Sequence, residues 1–217
     1  MEGKTMRRPL AAIAREALSS GPTVAAATGP VVADVWTEDD LGFVLLVHRR
    51  DDGYLAEELF YSLRSSDEDT EAAGWADCDH LGGGLLGFDP ADPAAREEIL
   101  ARRAMAVVTE SESLVHTGRV PEDDGDELVR VAELFVTPEA ESLEVENLTR
   151  PSRHMRRLFF PLALVVLLPG DRLRIRAVRA SGTGYTAVGD DLELAHPPGP
   201  APDGGSPGWY LTGPQQP

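Results

Sequence analysis

Asp77, Cys78, Asp79 and His80 place a thiol, an imidazole and two carboxylates within four residues. In an extended segment alternate side chains share a face, so Cys78 would meet His80 on one side and Asp77 would meet Asp79 on the other. A thiol beside an imidazole is the start of a cysteine nucleophile with its base, and equally half of a metal site. Either would need a third partner from elsewhere in the chain. The adjacent glycines, Gly82-Gly83-Gly84, offer backbone donors to a developing negative charge. A small enzyme or ligand-binding protein centred on Cys78 and His80 is therefore one reading of the sequence. One cysteine and one histidine do not complete a site, so it is the second reading, and neither a metal nor a cofactor is expected.

Other motifs carry less. Oxyanion loops of the lipase type have histidine directly before their glycines, whereas Leu81 intervenes here, and no Gly-x-Ser-x-Gly elbow occurs. Gly182-Thr183-Gly184-Tyr185-Thr186-Ala187 has the letters of a dinucleotide fingerprint. That motif works by setting a pyrophosphate on a helix N-terminus, whereas Val188 to Leu194 reads as turn and strand, so a loop between two terminal strands is expected. The acidic runs Asp67-Glu68-Asp69-Glu71 and Glu122-Asp123-Asp124-Asp126-Glu127 lack the spacing of a calcium loop and read as solvated hairpin loops. His48, His116, His154 and His196 have no spacing that suggests joint ligation.

The most informative feature is an asymmetry of charge. Between residues 150 and 179 lie Arg150, Arg153, Arg156, Arg157, Arg172, Arg174, Arg176 and Arg179 against one acid, Asp171, in a chain whose net charge is −17. With Leu173, Ile175 and Ala177 directed to a core, Arg172, Arg174 and Arg176 line the opposite face of one strand, and Arg156 and Arg157 join them from a neighbouring one. Cross-strand pairing with acidic faces of the same chain, Glu144 and Glu146 for example, is the structural reading. Recognition of an anionic small molecule or an acidic protein, using the bidentate geometry of guanidinium groups, is the functional one.

The 217 residues suffice for one domain with a real core. With 37 acidic against 20 basic side chains, nucleic acid and anionic membrane surfaces are poor ligands, because phosphate binding is driven by Lys and Arg. A single cysteine excludes an internal disulfide framework and points to a reducing, cytoplasmic setting. The longest apolar run, Leu158 to Leu168, contains Pro161 and falls short of the ~20 residues a membrane helix needs. Arg15 and Glu16 interrupt what would be the apolar centre of a signal peptide.

These residues must be positioned by a mainly β architecture. Leu10, Ile13, Ala14, Ala17 and Leu18 repeat at helical spacing, which predicts a short amphipathic helix over 9–20, closed by Gly21-Pro22 and followed by a linker over 21–30. Phe43 to Val47 is a continuous apolar run typical of a strand buried on both faces, and Asp51-Asp52-Gly53 marks the turn of a hairpin over 42–63. Gly74-Trp75 leads into a short strand that ends in a flexible Leu81 to Gly87. Asp92 and Pro93 open a helix over 93–103. Strands are expected over 104–110, 113–120, 128–136, 143–148, 153–160, 162–168, 173–179 and 185–194, a spacing that favours an antiparallel β-sandwich of immunoglobulin or jelly-roll type. The division is an N-terminal helical arm and linker over 1–29, a sandwich over 30–195, and a Pro/Gly-rich disordered tail over 196–217. Trp209, Tyr210 and Leu211 in that tail are a recognition element or an anchor that folds back.

The only lysine is Lys4 and the only asparagine Asn147, while Ala, Gly, Pro and Arg abound, a usage that points to a GC-rich bacterial genome. Trp75, the glycines Gly82 to Gly84 and the arginine-rich terminal strands together resemble uncharacterised β-rich proteins of actinobacteria over about 30–195. That resemblance brings no activity and no catalytic residues. The expectation is thus a non-enzymatic cytoplasmic binding or protein-interaction module, with Arg156, Arg157, Arg172, Arg174 and Arg176 as its binding residues.

Overall fold

The computed structural model describes residues 9–22, 29–64, 74–119 and 125–197. The protein is mainly β and sandwich-like, and its described residues form three antiparallel sheets and two helices. The first sheet runs in the order β1(Val31–Glu38), β2(Leu41–Arg49), β3(Leu55–Leu63), β4(Asp79–Leu85). A second contains β5(Met105–His116), β6(Asp126–Val136) and β9(Leu162–Leu167), in that order. The third is built on β10(Arg172–Ser181), flanked on one side by β7(Ser142–Asn147) and then β8(Ser152–Arg157), and on the other by β11(Gly184–Ala187) and β12(Leu192–Ala195).

The β2–β3 hairpin follows from its sequence. Gly53 supplies the positive φ of 88° at the turn, and alternate residues of β2 enter two different cores. Phe43, Leu45 and Val47 join the main core, which all three sheets supply. Val44 and Leu46 face the other way, with Phe60 and Trp75, and are covered by α1(Leu10–Ser20) through Ala14, Ala17 and Leu18. The helix is fastened as well as packed: Arg15 Nε donates to the Trp75 carbonyl at 2.9 Å, and Trp75 Nε1 donates to the Leu18 carbonyl at 3.0 Å.

Gly42 makes this seat possible. A Cβ there would lie 2.5 Å from Leu18 Cδ2 and 2.7 Å from the Trp75 ring. Gly42→Ala is therefore expected to cost about 1–3 kcal/mol, the range for overpacking a filled interface. Limited proteolysis should show early cleavage within α1; an unchanged cleavage pattern would count against this account of the seat.

The chain departs from the sequence expectations in several places. Where two strands were expected over 104–110 and 113–120, the described residues form one, β5 over Met105–His116, because the polar Glu110 to Ser113 stay in register with β6 beyond a bulge near Val108. Residues 185–194 form two short strands, since Gly189 turns with φ +69° against Ala104. Leu81 to Leu85 is not a flexible loop but part of β4, and Gly83 lies where a Cβ would strike the Glu58 carboxylate and come within 2.7 Å of the Glu57 carbonyl. Helix α2(Pro93–Leu100) is capped by Asp92, which accepts from Ala94 N–H at 2.9 Å, and it ends before 103 because Ala101 and Arg102 are left-handed. The tail from 198 onward, with Trp209, Tyr210 and Leu211, and most of the 21–30 linker lie outside the described residues. His196, by contrast, is buried and reaches the Leu128 carbonyl at 2.8 Å.

β1 and β9 run alongside each other without a backbone ladder between them. Side chains fill its place. The Leu164 N–H donates to Asp34 Oδ2 at 2.7 Å, and the Leu164 carbonyl accepts from Arg156 at 2.6 Å. A bulge between Val32 and Asp34 aims the aspartate at this gap.

Candidate functional site

Strand alternation builds the site. Leu173, Ile175 and Ala177 of β10 and Leu143 and Val145 of β7 are buried in the main core, so the residues between them face outward. Register then decides the neighbours: Arg174 lies opposite Glu146 on β7 and Glu193 on β12, and Arg176 lies opposite Glu144. Arg174 bridges Glu146 and Glu193, each at 3.2 Å, and Arg172 reaches Glu193 at 3.2 Å. Arg176 holds Glu144 at 3.1 Å and Asp191 through two bonds of 2.8 and 2.6 Å. Arg153 also pairs with Glu144. The hydrogen bonds from Arg176 hold the Asp191 carboxyl below its ordinary value, and Asp191 in return raises Arg176.

Beside these charges the face opens into a groove of about 530 Å³. Glu144, Arg153, Arg176 and Asp191 form its polar wall, and Met155, Val178, Tyr185 and Ala187 its apolar wall. Tyr185 is 58% exposed and Met155 39%. Charged and apolar groups thus stand side by side on a sheet face of which much is open to solvent.

The structure divides the five arginines named from the sequence. Arg172, Arg174 and Arg176 share the outer face of β10, and Arg157 lies at its margin with its guanidinium 5.4 Å from the centre of the Phe159 ring. Arg156 points to the other side. It pairs with Asp34 at 2.7 Å, donates to the Val35 carbonyl at 2.9 Å and stacks 4.4 Å over Trp36. Neighbouring strand residues face opposite ways, so the run Arg153, Met155, Arg157 was the signal that assigns Arg153 and Met155 to the outer face. Tyr185 and Asp191 enter only through the β10–β11 and β10–β12 pairings.

Cys78 and His80 are engaged separately. Burial pushes the Cys78 thiol up to about 11, with Arg15 and a hydrogen bond to Ser62 opposing, so the thiol is protonated at neutral pH and is a poor nucleophile. The His80 Nε2 lies 2.6 Å from one oxygen of Glu58, whose other oxygen lies 3.4 Å from His48 Nε2. The His80 ring also packs at 5.1 Å on Phe60. Among the described residues no group of three or more His, Cys, Asp or Glu side chains is arranged to hold a metal ion. The acidic run at 67–71 lies outside the described residues, as do Glu122, Asp123 and Asp124; Asp126 meets His116 and Glu127 meets Thr117. Compared with family models, with curated proteins and with solved structures, the chain matches none.

Proposed function

We propose that the protein is a non-enzymatic, cytoplasmic interaction module that binds an acidic protein or an anionic group on the outer face of the β8–β7–β10 sheet. The groove carries this reading, because it sets half-exposed Met155 and Tyr185 against Arg153 and Arg176 on one sheet face. Such a surface combines an apolar anchor with charges that orient a partner. Arg153, Arg172, Arg174 and Arg176 already have carboxylate partners, so an anion arriving at these four would exchange for Glu144, Glu146, Asp191 or Glu193 and would add little net pairing energy. Selectivity and orientation are what the charges supply. The single cysteine supports a reducing compartment.

The test is native mass spectrometry on protein purified gently from its host, with the denatured mass in parallel. A stoichiometric acidic partner or anion should accompany the wild type and Cys78→Ala, and be lost from the Arg174→Glu, Arg176→Glu variant. A bound mass that disappears with Cys78→Ala but survives in the arginine variant would overturn the proposal.

A further inference from the structure

The geometry points to the open edge of β8 as a strand-addition site for an extended acidic peptide, an inference that rests on the interaction-module reading. In the antiparallel β7–β8 ladder Leu158 N–H donates to the Glu141 carbonyl at 2.9 Å, and that pair fixes the alternation. Arg156, His154 and Ser152 then exchange hydrogen bonds with Leu143, Val145 and Asn147. The N–H and C=O groups of Arg153, Met155 and Arg157 point away from β7, and no described residue pairs with them. Every residue of β8 except Arg156 is exposed.

Other edges are blunted in the ways proteins use to prevent unwanted pairing. Asp34 and Arg156 occupy the Leu164 backbone on β9, and β1 carries a bulge. Register shifts interrupt the β4 and β5 pairings. β11 and β12 have four residues each. Among the described edges, β8 presents six residues in unbroken register with no side chain on its outward backbone groups.

Charge selects the occupant. The backbone groups that point outward belong to the residues whose side chains lie on the outer face, so an added strand sets its own alternate side chains beside Arg153, Met155 and Arg157. Arg157 has no carboxylate partner among the described residues and stacks on Phe159. A second copy of β8 is disfavoured: centred antiparallel on Met155, each Arg153 would oppose an Arg157, and like charges directly opposite are destabilising. A strand with acids flanking an apolar residue pairs each acid with an arginine and sets the apolar side chain against Met155. Main-chain bonds then provide affinity and the alternate side chains specificity.

The probe is the blocked peptide acetyl-Thr-Glu-Thr-Val-Thr-Glu-Thr-amide, titrated against the full chain by amide NMR, with the Lys-for-Glu peptide and a backbone N-methylated Glu peptide as controls. The acidic peptide should shift the Arg153, Met155 and Arg157 amides and slow their hydrogen exchange. Met155→Pro removes one outward N–H and leaves the β7 ladder intact, which edge strands tolerate. It should weaken binding about tenfold, the worth of one or two backbone hydrogen bonds. Arg157→Glu should weaken it similarly, and N-methylation should abolish it whether or not the proline variant folds. Binding that survives N-methylation, or that the Lys peptide matches, overturns strand addition, as does no binding of the acidic peptide. Survival of N-methylation together with loss in Arg174→Glu, Arg176→Glu would still leave the outer-face function standing.

Discussion

Replacing Glu133 by glutamine is expected to stabilise the protein at pH 8 by on the order of 3 kcal/mol and to flatten its stability between pH 5 and 8. Glu133 of β6 and Glu57 of β3 are both buried, 5% and 9% exposed, and each has one carboxyl oxygen without a hydrogen-bond partner among the described residues. Burial first, then the hydrogen bond and the charge of Glu57, push the Glu133 carboxyl up to about 9 from an ordinary 4.5. The folded protein therefore holds a proton that the unfolded chain releases above about pH 4.5. The favourable contribution is complete below that value and declines as pH rises towards 9, so this pair makes the wild type more stable at pH 5 than at pH 8. Glutamine keeps a donor facing Glu57 and has no proton to lose. Urea unfolding at both pH values is the measurement, and a wild-type stability that rises from pH 5 to 8 and persists unchanged in Glu133→Gln would refute the shared proton.

The second large effect is at Arg156. Its guanidinium satisfies Asp34, the Val35 carbonyl and the Leu164 carbonyl, and stacks on Trp36. Asp34 is 7% exposed, and desolvation already raises its carboxyl above the ordinary value despite Arg156. Arg156→Ala strands a buried carboxylate and is expected to cost about 3–5 kcal/mol at neutral pH. Without its counter-charge Asp34 takes up a proton at a higher pH than in the wild type. The deficit of the variant should accordingly shrink as the solution is acidified, and the double variant Arg156→Met, Asp34→Asn should recover part of the loss. A cost below about 1 kcal/mol for Arg156→Ala would place this pair with surface ion pairs and not with buried ones.

Much of the fold was legible because local rules acted alone. The helix at 10–20, the Asp92 cap and the β2–β3 turn each depend on residues within a few positions, and the structure has them where those residues stand. The outward row of Arg172, Arg174 and Arg176 was likewise readable from alternation, and so was the pairing of Arg174 with Glu146 and of Arg176 with Glu144. What escaped depended on distant partners. Glu110 to Ser113 looks like a turn until β6 is laid beside it, and Gly82 to Gly84 looks like a loop until Glu58 is seen lying over Gly83. Arg156 and Arg157 read as one basic pair, yet Asp34 lies 122 residues away from the first and Phe159 two residues from the second. The Glu57–Glu133 pair gave no signal at all, since each glutamate sits in a strand whose pattern suits either a wet or a dry face.

The doubly buried β2 strand has a further consequence for how the hairpin finds its alignment. A strand with one polar face is punished for slipping by one residue, because its apolar side chains would turn to water. Leu41 to Val47 contains no polar side chain, and a slipped copy would still present apolar groups to both layers. Hydrophobic burial is therefore nearly blind to this error. Discrimination falls to the few positions that fit only one alignment: Gly42 beneath Trp75 and Leu18, Glu57 facing Glu133, and Glu58 between His48 and His80. The polar groups buried in or beside this sheet thus act as alignment marks, and their substitution by apolar residues should trade a single native pairing for several of similar energy.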